Sequence, residues 1–204
     1  MIMPVLFLTW ESAMRILGGL FVLLATSGLA TAATFSEVEI YHGICDVSGA
    51  IALAEGDVDA GFIVLNDEDN ILRLYPKGAF DPDMQRSPDI SSSLGVAAGK
   101  EADLEATARI GSNVYILSSH GRNGDGKRQK RREVFVVMPI DGSGDQATLG
   151  GAHKTSLIKQ LASIPTLMPS IKPDEDENSN LAPENGGLNI EGLAAGLDGK
   201  SLLI

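Results

Sequence analysis

One cysteine in 204 residues, Cys45, leaves no partner for a disulfide within the chain and no thiolate cluster for zinc. Basic residues are short as well: 16 Lys and Arg stand against 27 Asp and Glu, a formal net charge of -11. A phosphate backbone selects basic surfaces, so nucleic acid is excluded as a main partner. No apolar run reaches the roughly 20 residues that cross a bilayer. The Gly-x-Ser-x-Gly elbow of serine hydrolases is missing. So are the glycine and distal glutamate that an EF-hand loop would place after Asp67-Glu68-Asp69-Asn70. What is present is 44% hydrophobic residues, too many for a chain disordered along its length. The length suits one domain or two small ones.

The first thirty-three residues differ from the rest. Met14-Arg15 precede an uncharged run from Ile16 to Leu24, and small residues follow to Ala30-Thr31-Ala32-Ala33. A basic residue, a short apolar core and an A-x-A exit make a secretory signal peptide over residues 1–33. An uncleaved anchor helix is the competing reading. The expected compartment is extracytoplasmic, periplasmic or secreted, with no stable membrane span after cleavage. There a lone thiol is buried or paired between chains, and Cys45 reads as a small buried residue.

From Thr34 onward the apolar residues come in strand-length runs. Phe62-Ile63-Val64-Leu65, Ile71-Leu72-Arg73-Leu74-Tyr75, Val114-Tyr115-Ile116-Leu117 and Val134-Phe135-Val136-Val137-Met138 are rich in β-branched and aromatic residues. Turn residues separate them, and Asp198-Gly199 between Leu197 and Leu202 signals a hairpin. Thr155–Ala162 alone reads as helical. Two segments share one grammar of a polar residue, an aliphatic, Glu, a small residue, strand, turn and strand. They begin at Asp103-Leu104-Glu105 and at Asn189-Ile190-Glu191, and a degenerate copy places Ser48 where the glutamates stand. The intervals between anchors exceed the roughly 40–50 residues of a propeller blade, so inserts are expected over 76–100 and 141–187. The expected fold is all-β, a partial β-propeller-like domain over 34–204 with one short helix in an insert. A generic antiparallel sandwich is the competitor.

An ordered set of segments resembles a known family. Asp67-Glu68-Asp69-Asn70, Leu72-Arg73-Leu74-Tyr75, Glu101-Ala102-Asp103-Leu104-Glu105, Ser119-His120-Gly121-Arg122-Asn123 and Leu188-Asn189-Ile190-Glu191-Gly192-Leu193-Ala194 follow one another. Together they resemble a bacterial family catalogued as a numbered domain of unknown function, thirty-six sixteen, from about Tyr41 to Ile204. The resemblance implies kinship with phytase-like and esterase-like propellers and a secreted location. It also implies a C-terminal continuation beyond Ile204, so the chain reads as truncated.

The chemistry concentrates at the repeats. On an extended strand Glu101, Asp103 and Glu105 would all face one side. Like charges so placed need a cation, an arginine or a raised pKa. Ca²⁺, which takes carboxylate and carbonyl oxygens, is the cofactor such a cluster would hold, with Asp103, Glu105 and Glu191 as ligands. The alternative is that Glu105 and Glu191 pair with amides or arginines. Asp67-Glu68-Asp69-Asn70 reads as an acidic turn capping its own backbone. His120 is a candidate general base or metal ligand, and Arg122 with Asn123 a candidate grip on a substrate anion. The alternative for Arg122 is a structural role. Lys127-Arg128-Gln129-Lys130-Arg131-Arg132 reads as a solvated basic loop or, alternatively, as an anion gate.

Two functions of different class follow. One is a secreted metal-dependent hydrolase of a phosphoester, ester or lactone, taking a small-molecule or anionic substrate, with Glu105, His120 and Glu191 catalytic. The other is a non-catalytic propeller that binds a ligand or a protein through its insert loops.

Overall fold

Alternating apolar positions carry the chain into three antiparallel sheets in the computed structural model, which describes residues 39–55, 57–142 and 146–204. The leader expected over 1–33 lies outside the described residues. In the first sheet β1 (Val47–Ala54), β2 (Asp57–Asn66) and β3 (Arg73–Pro76) run up and down in chain order. Gly61 of β2 lies opposite Pro76 with φ +94°, where a Cβ would stand 2.7 Å from the Tyr75 carbonyl oxygen. Only glycine allows the two strands to approach that closely.

The second sheet is built on the hairpin of β4 (Leu104–Ile110) and β5 (Asn113–Ser118), which turns through Gly111 at φ +57°. β6 (Phe135–Asp141) pairs with β5. The far edge of β6 takes two short strands, β7 (Thr148–Leu149) at its end and β8 (His153–Thr155) at its start. The third sheet is the two-residue pair β9 (Ala194–Ala195) and β10 (Leu202–Leu203). Its turn is the Asp198-Gly199 hairpin: Asp198 accepts the backbone N–H groups of Lys200 and Ser201, each at 2.9 Å, and Gly199 adopts φ +63°. None of the three sheets closes on itself.

One core joins the first two sheets. Ile63 and Leu65 of β2 share one buried cluster with Leu104, Ile116 and Val136 of the second sheet, and Ile90 and Leu94 from the 76–100 insert belong to it too. That insert is therefore packed structure rather than a surface loop, and it carries the helical turn α1 (Ser91–Leu94). The 141–187 insert holds β7, β8, α2 (Ile158–Ala162) and α3 (Met168–Ile171). The helix expected over Thr155–Ala162 is present as α2 but shorter, because Thr155 closes β8, and α1 and α3 are further short α-helices among the described residues. Four or five residues are too few for a 3.6-residue period to show in sequence.

Cys45 corrects another expectation, because its side chain is exposed. It precedes β1, outside the alternation that would point it into the core.

The first strands of the sheets stand side by side. Ser48 Oγ donates to the Leu104 carbonyl at 2.6 Å, and Arg109 Nη1 to the Ala52 carbonyl at 2.9 Å, so β1 is tied to β4 at both ends. β9 lies against β4 as well. The anchor residues Ser48, Glu105 and Glu191 thus belong to neighbouring segments.

Candidate functional site

The site begins at a break in the strand pattern. Asp103 adopts φ +60°, a left-handed conformation, immediately before β4 begins at Leu104. The alternation expected from Glu101 to Glu105 is lost there, and the three carboxylates part ways. Glu101 receives Arg131 Nη2 at 2.8 Å and Arg132 Nη2 at 3.2 Å. Burial pushes its pKa up, but hydrogen bonds from Arg131, its own backbone and Arg132 outweigh that and hold it at about 2. Asp103 accepts the Ser119 hydroxyl and stands 3.3 Å from Arg132 Nη2.

Backbone pairing fixes this end of the fold. The Ser119 N–H donates to the Asp103 carbonyl at 2.9 Å, and the Ile190 N–H donates to the Ser119 carbonyl at 2.8 Å. Three distant segments therefore lie in line, which draws Glu191 toward β4.

Glu105, the second residue of β4, is half-buried. Among the described residues its carboxyl has no hydrogen bond and no ion pair. Burial, followed by the charges of Asp103, Glu191 and Asp67, pushes its pKa up to about 7, with Arg132 pulling the other way. A carboxyl in that state is part proton donor and part base at neutral pH. Arg132 is itself incompletely satisfied, since its Nε is buried without a partner.

The structure thus brings together Asp103, Glu105 and Glu191, and adds Asp67 and Arg132 to them. Asp67 lies in the acidic turn, which does cap its own backbone: Asn66 Oδ1 accepts the Asp69 N–H at 3.2 Å, and Asp69 Oδ1 the Ile71 N–H at 2.9 Å. Arg132 comes from the basic run expected as a solvated loop. That expectation is corrected for all three arginines: Arg128 pairs with Glu133 and donates to the Pro173 carbonyl at 2.7 Å, while Arg131 meets Glu101 and Arg132 meets both Glu101 and Asp103, just ahead of β4. The usable signal was five cations placed between strands beside an acidic repeat.

The expected Ca²⁺ ligand set is not assembled. Asp103 is taken by Ser119 and Arg132, and Glu191 accepts the Asn189 side-chain amide. Among the described residues no three His, Cys, Asp or Glu side chains are grouped to hold one metal ion.

His120, Arg122 and Asn123 are engaged elsewhere. His120, at φ +53°, is buried, and its Nδ1 bonds the Ser118 carbonyl at 2.9 Å while the Leu157 N–H donates to Nε2 at 3.3 Å. Burial lowers its pKa, so a neutral ring ties the end of β5 to the start of α2. With both nitrogens bonded to backbone, the expected role as general base or metal ligand has no free atom to act through. Arg122 is buried and donates to four carbonyls: Gly126 at 3.0 Å, Ile171 at 3.2 Å, Lys172 at 3.1 Å and Glu175 at 2.7 Å. It is a structural clamp, which corrects its expected grip on a substrate anion. Asn123 Oδ1 accepts the Lys127 N–H at 2.7 Å and closes a tight turn. The cavity beside His120 and Arg122 measures about 10 Å³, room for one water at most.

The architecture defines a β-rich protein of antiparallel sheets bearing a carboxylate–arginine cluster. No family model matches the chain, and neither the curated proteins nor the solved structures contain a match.

Proposed function

We propose that this chain is an extracytoplasmic β-propeller-like hydrolase in which Glu105 transfers the proton. In this reading the three sheets are successive blades, with β1, β4 and β9 as the strands nearest the axis. The family resemblance and the leader motif support it. The observation that carries it is Glu105: half-buried, unbonded and raised to about 7 by burial and three neighbouring carboxylates. Perturbed carboxyls of this kind concentrate at catalytic sites. As carboxylate, Glu105 would take a proton from an attacking water; as acid, it would return one to the leaving oxygen. Arg132, with its unpartnered Nε, is the adjacent cation for developing negative charge.

The surroundings favour one substrate class. Glu191 lines a groove of about 760 Å³ together with Leu161, Ile164, Leu193 and Leu203. An apolar wall suits an ester or lactone better than a phosphoester. A chromogenic panel of all three on wild type and Glu105→Gln tests the proposal. Loss of about 10²–10⁴-fold in the variant is expected, with an activity limb near the Glu105 pKa, and equal rates in the two proteins sink it.

A non-catalytic ligand-binding propeller is the second reading. It is favoured by His120 and Arg122, whose polar atoms are already bonded within the chain. Silence of wild type across the panel selects it.

A further inference from the structure

Four aromatic side chains gather away from Glu105, where β2 and β3 meet the segment before β1. Tyr41 stands edge-on to Phe62 at 4.8 Å and to Tyr75 at 5.7 Å, with interplanar angles of 83° and 89°. Phe62 stacks on Tyr75 at 5.0 Å, and Phe80 tilts against Tyr41 at 5.5 Å. Tyr75 is fully buried and its hydroxyl donates to the His42 carbonyl at 2.7 Å, which anchors the group. Phe80, by contrast, is 47% exposed.

These rings border a cleft. Tyr41, Phe62 and Phe80 line a space of about 350 Å³ together with Glu39, Asp59 and Lys77. That volume falls within the range of small-ligand sites, about 300–1,000 Å³. Near-perpendicular rings give the cleft walls of differing orientation, and aromatic faces attract cations within about 6 Å. Two carboxylates against one lysine leave the lining negative. The Tyr41 hydroxyl donates to Glu39 at 2.6 Å, which holds that carboxylate at the aromatic wall.

We propose that this cleft binds an alkylated ammonium group, such as a trimethylammonium head. Such a cation is weakly hydrated, presents methyl groups to the rings, and carries the charge that Asp59 and Glu39 complement. A neutral ligand of the same shape would gain the apolar contact alone. A small hydrated cation would gain the carboxylates without the rings. The cleft is separate from Glu105, so the proposal stands independently of the hydrolase reading.

Calorimetric titration of the full chain with choline, and with its neutral isostere 3,3-dimethyl-1-butanol, is the direct test. Millimolar or tighter binding of choline, at least about tenfold stronger than the isostere, is expected. Phe80→Ala and Asp59→Asn should each weaken choline binding at least about fivefold, and Phe80 is exposed enough for the substitution to spare the fold. Co-sedimentation with phosphatidylcholine vesicles then assigns the source: retention points to a lipid head group, and its absence to a free ammonium compound. Equal affinity for choline and isostere overturns the proposal, as does choline binding unchanged in both variants.

Discussion

Glu101 and Glu105 stand four residues apart and answer pH with opposite sign. Glu101 is held at about 2, below its ordinary 4.5, so its stabilising contribution is present above pH 4.5 and lost as pH falls toward 2. Glu105 is raised from 4.5 to about 7, so protonation favours the folded state. That contribution is complete below pH 4.5 and lost as pH rises through 7. Glu105→Gln should therefore melt higher than wild type at about pH 8 and nearly level with it at about pH 4. Glu101→Gln should flatten the acid limb instead. Thermal melts of the three proteins across pH check both, and coincident curves for Glu105→Gln and wild type at alkaline pH would refute the first. The metal question belongs to the same residues. With Asp103 and Glu191 already bonded, Ca²⁺ or EDTA should move the melting temperature by less than about 1 °C; a clear rise with Ca²⁺ would restore the ligand set. Glu105 stood out in the sequence as a candidate because its repeat grammar recurs at Glu191. Asp67 and Arg132 were not, since their proximity to Glu105 arises from strand pairing far from them in sequence.

At the scale of elements, the hairpins were readable and the inserts were not. Strands β2, β3, β5 and β6 announce themselves through branched and aromatic runs, while Gly111 marks the β4–β5 turn and Asp198-Gly199 the β9–β10 turn where the backbone needs them. His153-Lys154-Thr155 forms β8 with all three residues exposed, paired antiparallel to β6. No apolar alternation exists there to betray a strand. Arg122 reads in sequence either as a grip on an anion or as a structural arginine, and its guanidinium ties the turn at Gly126 to the end of α3 and the residues that follow it. Arg122→Ala would leave several carbonyls without a donor and should destabilise the fold by about 3 kcal/mol in denaturant unfolding. Arg122→Lys should not rescue it, because a single ammonium cannot reproduce the planar fork that reaches both segments. Full stability in the lysine variant would show that charge alone suffices.

At the scale of the molecule, mostly-β architecture with antiparallel sheets was foreseeable, while the share that the 76–100 insert takes in the common core was not. Ile90 and Leu94 sit in a segment poor in strand pattern yet contribute to that core. The third sheet, two residues per strand with Leu203 exposed, has no comparable share. Amide exchange should accordingly be fastest in β9 and β10 and slowest in β4 and β5, and equal protection across the sheets would contradict that ranking. The chain order within the first and third sheets, and in the β4–β5 hairpin, carries a kinetic consequence. Each hairpin closes a short stretch of chain, at small loop entropy, and can form early and alone. The slow event in folding should then be the docking of the first sheet onto the second, at the moment the Ile90–Leu94 turn is caught between them.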